Sequence, residues 1–156
     1  MLSDAEILDA ITQAFSLCER PEHFTNYTHC CECFEHDELL RSRDPETLCM
    51  DDVGNMGWDP ICFISSEGFA YYFPALARLA LSPPDSYWYG PQLFWHLILD
   101  GEQNRRWQHF TPEQRRAVAT LLEHLVETRA ELLEDYNSTD DLFRALEIWS
   151  ATDDAP

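Results

Sequence analysis

Three cysteines and two histidines fall within the eight residues from His29 to His36, a density of soft metal ligands that chance rarely gives. Zinc takes four nitrogen or sulfur donors in a tetrahedron, and thiolate and imidazole are its usual structural ligands. If the segment is helical, His29, Cys33 and His36 share one face at i, i+4 and i+7. Cys30 then lies one turn from Cys33. We therefore predict a zinc site formed by His29, Cys30, Cys33 and His36.

This segment lacks the second ligand pair, separated by a loop of about a dozen residues, that usually completes a structural zinc site. Beside Cys30, Cys33 and His36, the fourth donor could be His23 or a distant thiol such as Cys49 or Cys62 instead of His29. Two other interpretations stay open. The cysteines could be small buried apolar residues, or Cys33 could be a redox or nucleophilic thiol beside a histidine, although the neighbouring carboxylates disfavour a thiolate.

The chain of 156 residues is strongly acidic, with 29 Asp and Glu against 10 Lys and Arg and a formal net charge of −19. Such a surface repels phosphate backbones and anionic lipid headgroups, which argues against direct binding to nucleic acid or to a membrane. The charge instead predicts a non-enzymatic interaction protein, of the inhibitor or immunity type, that binds a basic partner such as a nuclease toxin or a nucleic-acid-binding protein. The alternative is a zinc-binding protein whose metal is structural or hydrolytic.

Known catalytic motifs are missing from the sequence. It contains no His-Glu-x-x-His, no Gly-x-Ser-x-Gly, no Walker loop and no Gly-x-Gly-x-x-Gly. We therefore expect a protein that is not an enzyme and leave a metal-dependent or thiol-dependent reaction open.

The first residues are acidic where a secretory signal is positively charged, and no apolar run approaches the ~20 residues that span a bilayer. These features favour a cytoplasmic protein. In that compartment the six cysteines are expected to be reduced.

The elements that position these residues are predicted to be mostly helices. Capping boxes begin helices at Ser3 and Thr111, the first of them over about 4–18. The cysteine-rich segment is predicted to be a helix over 29–41. Further helices are predicted to begin at Pro74 and Pro91, and a last one follows Ser138.

One β-hairpin interrupts this helical pattern. The β-rich runs 61–64 and 69–73 flank the turn-like Ser65-Ser66-Glu67-Gly68, which is typical of a hairpin. We therefore predict a mainly α (α+β) fold. It forms a single compact domain over residues 1–156, with one small β-hairpin and a short polar tail from about 151 to 156.

Several segments together are similar to those of one protein family. They are His29-Cys30-x-x-Cys33-x-x-His36, Gly57-Trp58-Asp59-Pro60-Ile61-Cys62-Phe63, Glu67-Gly68-Phe69 and Tyr72-Phe73-Pro74-Ala75-Leu76. Together with a Thr-Pro-Glu-Gln-Arg helix start at 111–115, they resemble a family of small bacterial proteins of unknown function over about residues 20–130. The resemblance implies that Cys30, Cys33 and His36 form a unit with His29 beside them, and it implies no activity.

Overall fold

The computed structural model describes residues 1–152, apart from the side chain of Glu102, and this part of the chain contains helices and no strand. The helices are α1 (Asp4–Ala14), α2 (Cys31–Arg41), α3 (Met50–Val53), α4 (Ser66–Leu81), α5 (Gly90–Ile98), α6 (Arg105–His109), α7 (Pro112–Thr128), α8 (Ala130–Asp135) and α9 (Thr139–Trp149). Two 3-10 turns, Pro60–Cys62 and Gly101–Gln103, lie between them. Among these helices, none has both the length and the apolar character to cross a membrane. Of the predicted polar tail at 151–156, residues 153–156 lie outside the described part.

Side-chain caps determine where the helices begin. Ser3 and Glu6 form the predicted capping box of α1, and Thr111 and Gln114 form that of α7, so both predicted starts are confirmed. The cysteine-bearing helix starts later than predicted, at Cys31. The extended backbone of Cys30 makes this residue the N-cap and leaves His29 outside the helix.

The predicted β-hairpin is wrong, and the α+β part of the fold class is wrong with it, whereas the mainly α class holds. The first predicted strand, 61–64, runs through the 3-10 turn that Asp59 caps by accepting a hydrogen bond from the Ile61 N–H at 2.9 Å. The second, 69–73, lies inside α4. Ser65 is the N-cap of α4, because its hydroxyl accepts a hydrogen bond from the Gly68 N–H at 3.1 Å.

Packing explains why Gly68 lies in a helix and not in a turn. A Cβ at this position would come within 2.7 Å of Ile64 Cγ1 and 2.9 Å of Phe24 Cδ1, so only glycine allows this approach. The following aromatic residues Phe69, Tyr72 and Phe73 are fully buried. Their i, i+3 and i+4 spacing is that of one helical face. Burial on a helix therefore overrides the β-propensity of the aromatic residues.

Helix α4 is the centre of the core, since eleven of its residues are buried and they surround its axis. Helices α1, α5 and α6 pack against it, and α7 and α9 complete the outer layer. Two side chains add hydrogen bonds between helices. The Tyr72 hydroxyl donates a hydrogen bond to the Leu40 carbonyl of α2 at 2.5 Å, and the Trp149 indole of α9 donates one to the Leu97 carbonyl of α5 at 2.9 Å. The cysteine-bearing helix α2 is thus anchored on the core.

Candidate metal centre

Two thiols and one imidazole meet at the start of α2. One donor atom from each of His29, Cys30 and Cys33 lies within 4.8 Å of the other two. The Cys33 sulfur is 3.9 Å from His29 Nδ1. Tetrahedral zinc separates its donors by about 3.5 Å, given its usual bond lengths, so small side-chain rotations would bring these three atoms around one ion. We call His29, Cys30 and Cys33 the Cys30 centre.

The helix start itself positions the two thiols. The Cys30 sulfur accepts a hydrogen bond from the Cys33 N–H at 3.4 Å, as an N-cap side chain does. Cys30 and His29 are exposed, and Cys33 is 6% exposed. The centre is therefore an open surface site built on one buried thiol.

Hydrogen bonds make the two thiols chemically different. The Cys33 backbone N–H, together with the His29 side chain and the Cys33 thiol, lowers the pKa of Cys30 to about 7. The contact between the two thiols, and to a smaller extent burial, raises the pKa of Cys33. The Cys30 thiolate, which is the metal-binding form of cysteine, is thus accessible near neutral pH.

His36 lies outside the Cys30 centre. Its ring is 1% exposed and packs between Trp58 and Phe63, at centroid distances of 4.7 and 5.1 Å. Its Nε2 is 3.3 Å from the Glu32 carboxylate. The prediction that His29, Cys33 and His36 share one face required a helix that begins at His29. Because α2 begins only at Cys31, His29 is not in helical register with His36.

The distant donors considered from the sequence have other partners. His23 Nδ1 is 2.7 Å from the Asp37 carboxylate, and its ring stacks on Tyr27 at 3.8 Å. Cys49 donates a hydrogen bond to Asp52 at 3.4 Å. In the described part of the chain, the Cys30 centre therefore offers three protein donors. A tetrahedral ion at these three donors would take its fourth ligand from water or from another molecule.

Asp37 holds the segment that leads into the Cys30 centre. Its buried carboxylate accepts hydrogen bonds from the backbone N–H groups of Phe24 and Thr25, at 2.6 and 3.2 Å, and contacts His23. Burial opposes ionisation, but these hydrogen bonds prevail and lower the pKa of Asp37. The Thr25 hydroxyl in turn donates a hydrogen bond to the Cys33 carbonyl at 2.7 Å. Asp37 is thus a positioning residue that sequence reasoning treated only as part of the acidic surround.

A second group of side chains that could hold a metal ion was not predicted from the sequence. One donor atom from each of Asp59, Cys62 and His96 lies within 4.8 Å of the other two. We call these three residues the Cys62 cluster. The Asp-x-x-Cys spacing at the 3-10 turn was a local signal, but only the packing of α5 brings His96 to it.

Burial dominates the chemistry of the Cys62 cluster. It raises the pKa of Cys62 to about 11, with the Asp59 charge acting in the same direction. It also lowers the pKa of His96, although the hydrogen bond to Asp59 opposes this shift. Cys62 is therefore a protonated thiol at neutral pH, and His96 is a neutral imidazole, the form that binds metals.

Over residues 1–152, the fold and the site define a helical protein with an open imidazole and dithiol group at a helix start. The chain belongs to DUF6714, a family of unknown function, whose model matches residues 3–152. The resemblance to a family of unknown function is thus confirmed. No curated protein and no solved structure matches the chain.

Proposed function

We propose that the protein binds a zinc ion at the Cys30 centre, through His29, Cys30 and Cys33. The observation that carries this proposal is that the donor atoms of these residues already lie within 4.8 Å of one another at the start of α2. Two sulfurs and one nitrogen form a soft donor set, which zinc accepts readily and which magnesium and calcium do not.

The ion has a structural role in this proposal. His29 and Cys30 precede α2, while Cys33 lies in its first turn, so one ion joins the incoming segment to the helix. Asp37 and Thr25 hold the same segment from the other side. The fourth coordination position stays accessible, because His29 and Cys30 are exposed. A water molecule or a donor from a partner completes the coordination.

Metal analysis of the full chain, purified without added zinc, tests the proposal. The double variant Cys30→Ser, Cys33→Ser is expected to hold about one equivalent less zinc than the wild type, because structural sites retain their ion through purification. Cys31→Ser is the matched control, since Cys31 is an adjacent exposed thiol outside the group. Equal zinc in the double variant and the wild type would refute the proposal, as would less than about 0.1 equivalent in the wild type.

A second function, binding of a basic protein partner, is supported by an exposed aromatic surface. Trp58 and Phe63 both pack on the ring of His36, yet they remain 43% and 41% exposed. Aromatic residues of this kind dominate the energetics of many interfaces. The net charge of −19 would attract a basic partner and speed its association. We therefore propose an inhibitor or immunity-type interaction, with a nuclease toxin as one such partner.

A pull-down at low and at moderate salt tests this second function. The wild type is expected to retain a basic protein at both salt concentrations, and Trp58→Ala is expected to lose it. Phe143→Ala is the matched control, because Phe143 is 50% exposed but lies on α9. If no basic protein is retained, or if Phe143→Ala weakens retention as much as Trp58→Ala does, the interaction surface is not the one proposed.

A further inference from the structure

The Cys62 cluster is built around the carboxylate of Asp59. One carboxylate oxygen caps the 3-10 turn at Ile61 N–H. The other lies 2.8 Å from His96 Nε2 and 3.1 Å from Gln92 Nε2. Asp59 is 4% exposed, and His96 and Gln92 are buried one turn apart on α5. The turn and the helix are therefore joined by one buried polar network.

The hydrogen bonds of this network leave two acceptor atoms without a donor. Because a carboxylate accepts hydrogen bonds, Nε2 carries the proton of His96, and Nδ1 presents its lone pair. Gln92 uses its amide N–H groups on Asp59 and on the Val53 carbonyl at 2.9 Å, so its Oε1 is left over. Both His96 Nδ1 and Gln92 Oε1 are buried without a hydrogen-bond partner among the described residues. Native proteins rarely leave such atoms unsatisfied unless an ion, a water molecule or a ligand reaches them.

A cavity of about 120 Å³ lies beside this network. It is lined by Met56, Asp59, Cys62, Gln92, Trp95 and His96. A water molecule occupies roughly 30 Å³ in the liquid, so the space admits an ion with a few coordinated waters and excludes a large organic ligand. The half-buried sulfur of Cys62 is the soft donor of this lining.

We propose that the cavity binds a divalent transition-metal ion through Cys62 and the free ring nitrogen of His96, with Asp59 holding the imidazole in the required tautomer. Because Cys62 is protonated in the metal-free protein, the ion displaces the thiol proton, which leaves to solvent as the metal–sulfur bond forms. A ligating histidine almost always donates its other N–H to a carboxylate or a carbonyl, and Asp59 accepts from His96 in this way. Water fills the remaining positions, and Gln92 Oε1 supplies an oxygen acceptor for it. This site is independent of the Cys30 centre and does not rest on it.

Cobalt(II) titration of the full chain tests the proposal, because a bound thiolate gives cobalt a near-ultraviolet charge-transfer band. The variant Cys30→Ser, Cys33→Ser removes the Cys30 centre and serves as the background. In this background we expect saturable binding of about one equivalent. Adding Cys62→Ser should abolish the band. Adding Cys18→Ser should leave it unchanged, because Cys18 is a comparably half-buried thiol outside the cluster.

Asp59→Asn tests the positioning role separately. Asn can still cap the turn, but its amide no longer demands the Nε2–H tautomer of His96. The band should keep its shape while the cobalt affinity falls about 10- to 100-fold, the usual loss for a partner of a ligating histidine. A band that survives Cys62→Ser, or no saturable binding in the background, would overturn the inference.

If the background variant does not fold, cobalt binding is compared between the wild type and Cys62→Ser alone. Cys62→Ser should then bind one equivalent less cobalt than the wild type. Equal binding by the two proteins would count against the Cys62 cluster. Equal zinc contents of the wild type and the Cys30→Ser, Cys33→Ser variant would count only against the Cys30 centre.

Discussion

Replacing Asp37 should release the segment that leads into the Cys30 centre. Asp37→Ala leaves the N–H groups of Phe24 and Thr25 buried without their acceptor, and it removes the partner of His23. An unsatisfied buried donor costs about 1–3 kcal/mol, and the His23 contact adds little because that side chain is partly exposed. For the two donors together, the free energy of unfolding falls by about 2–6 kcal/mol. Asp37→Asn keeps the Oδ1 atom that accepts both backbone hydrogen bonds and loses only the charge and the His23 contact, so it should cost much less than Asp37→Ala.

Urea unfolding followed by circular dichroism measures this loss as a lower midpoint at an unchanged m-value. Glu35→Ala is the matched control, because Glu35 is an exposed carboxylate on the same helix. The reasoning is refuted if Asp37→Ala lies within about 0.5 kcal/mol of the wild type, or if Asp37→Asn is equally destabilising. If the proposed zinc site exists, zinc affinity should fall in parallel in Asp37→Ala and stay unchanged in Glu35→Ala.

The pH dependence of the same variants gives a second measurement. The folded-state pKa of Asp37 lies below its ordinary value of 3.8, so the ionised carboxylate stabilises the fold above that pH. The stability is lost as the pH falls from about 4 through the lower folded-state pKa. The difference between wild type and Asp37→Asn should therefore be constant near neutral pH and shrink only in acid. A difference that shrinks between pH 5 and pH 7 instead would assign the effect to another group.

Three further predictions use unfolding or thiol chemistry. Gly68→Ala should cost about 1–3 kcal/mol, because its Cβ would overlap Ile64 and Phe24. Gly57→Ala should be near neutral, because a Cβ there would meet only the Asn55 side chain at 3.4 Å. Arg106→Met should lower the free energy of unfolding, measured with urea, by about 1–3 kcal/mol, because the buried guanidinium donates hydrogen bonds to the His96 and Ile61 carbonyls at 2.9 Å. The exposed Arg116→Met is the control. In metal-free protein, alkylation of Cys30 should rise with a midpoint near pH 7, while Cys62 should stay unreactive until about pH 11; equal profiles by mass spectrometry would contradict the difference in environment.

Local capping signals were the predictable part of the fold. The boxes at Ser3 and Thr111 begin α1 and α7 as expected, because the groups that satisfy the first N–H donors lie within three residues of each other in sequence. Ser65 caps α4 in the same way, but the β-rich composition on both sides of it suggested a hairpin. What decides between the two is the close packing at Gly68, which involves Phe24 from a distant segment. A tertiary contact of this kind leaves no periodic signal in the sequence.

The two candidate sites differ in predictability for the same reason. His29, Cys30 and Cys33 meet because they are neighbours in the chain, so their spacing alone was informative. The Cys62 cluster depends on how α5 packs against the 3-10 turn, and the 33 residues between Cys62 and His96 give no hint of this contact. His36 lies outside the Cys30 centre because α2 begins at Cys31 and not at His29, as the sequence had indicated.

The position of His36 links the two sites physically. Trp58 and Phe63, which enclose its ring, are the immediate neighbours in sequence of Asp59 and Cys62. The segment 58–63 therefore contacts His36 of α2 and also supplies Asp59 and Cys62 to the cavity beside α5. A change at His36 would disturb the packing of both sites without removing a ligand from either. His36 thus lies outside the Cys30 centre, and its ring contacts with Trp58 and Phe63 pack α2 beside the turn that carries Cys62.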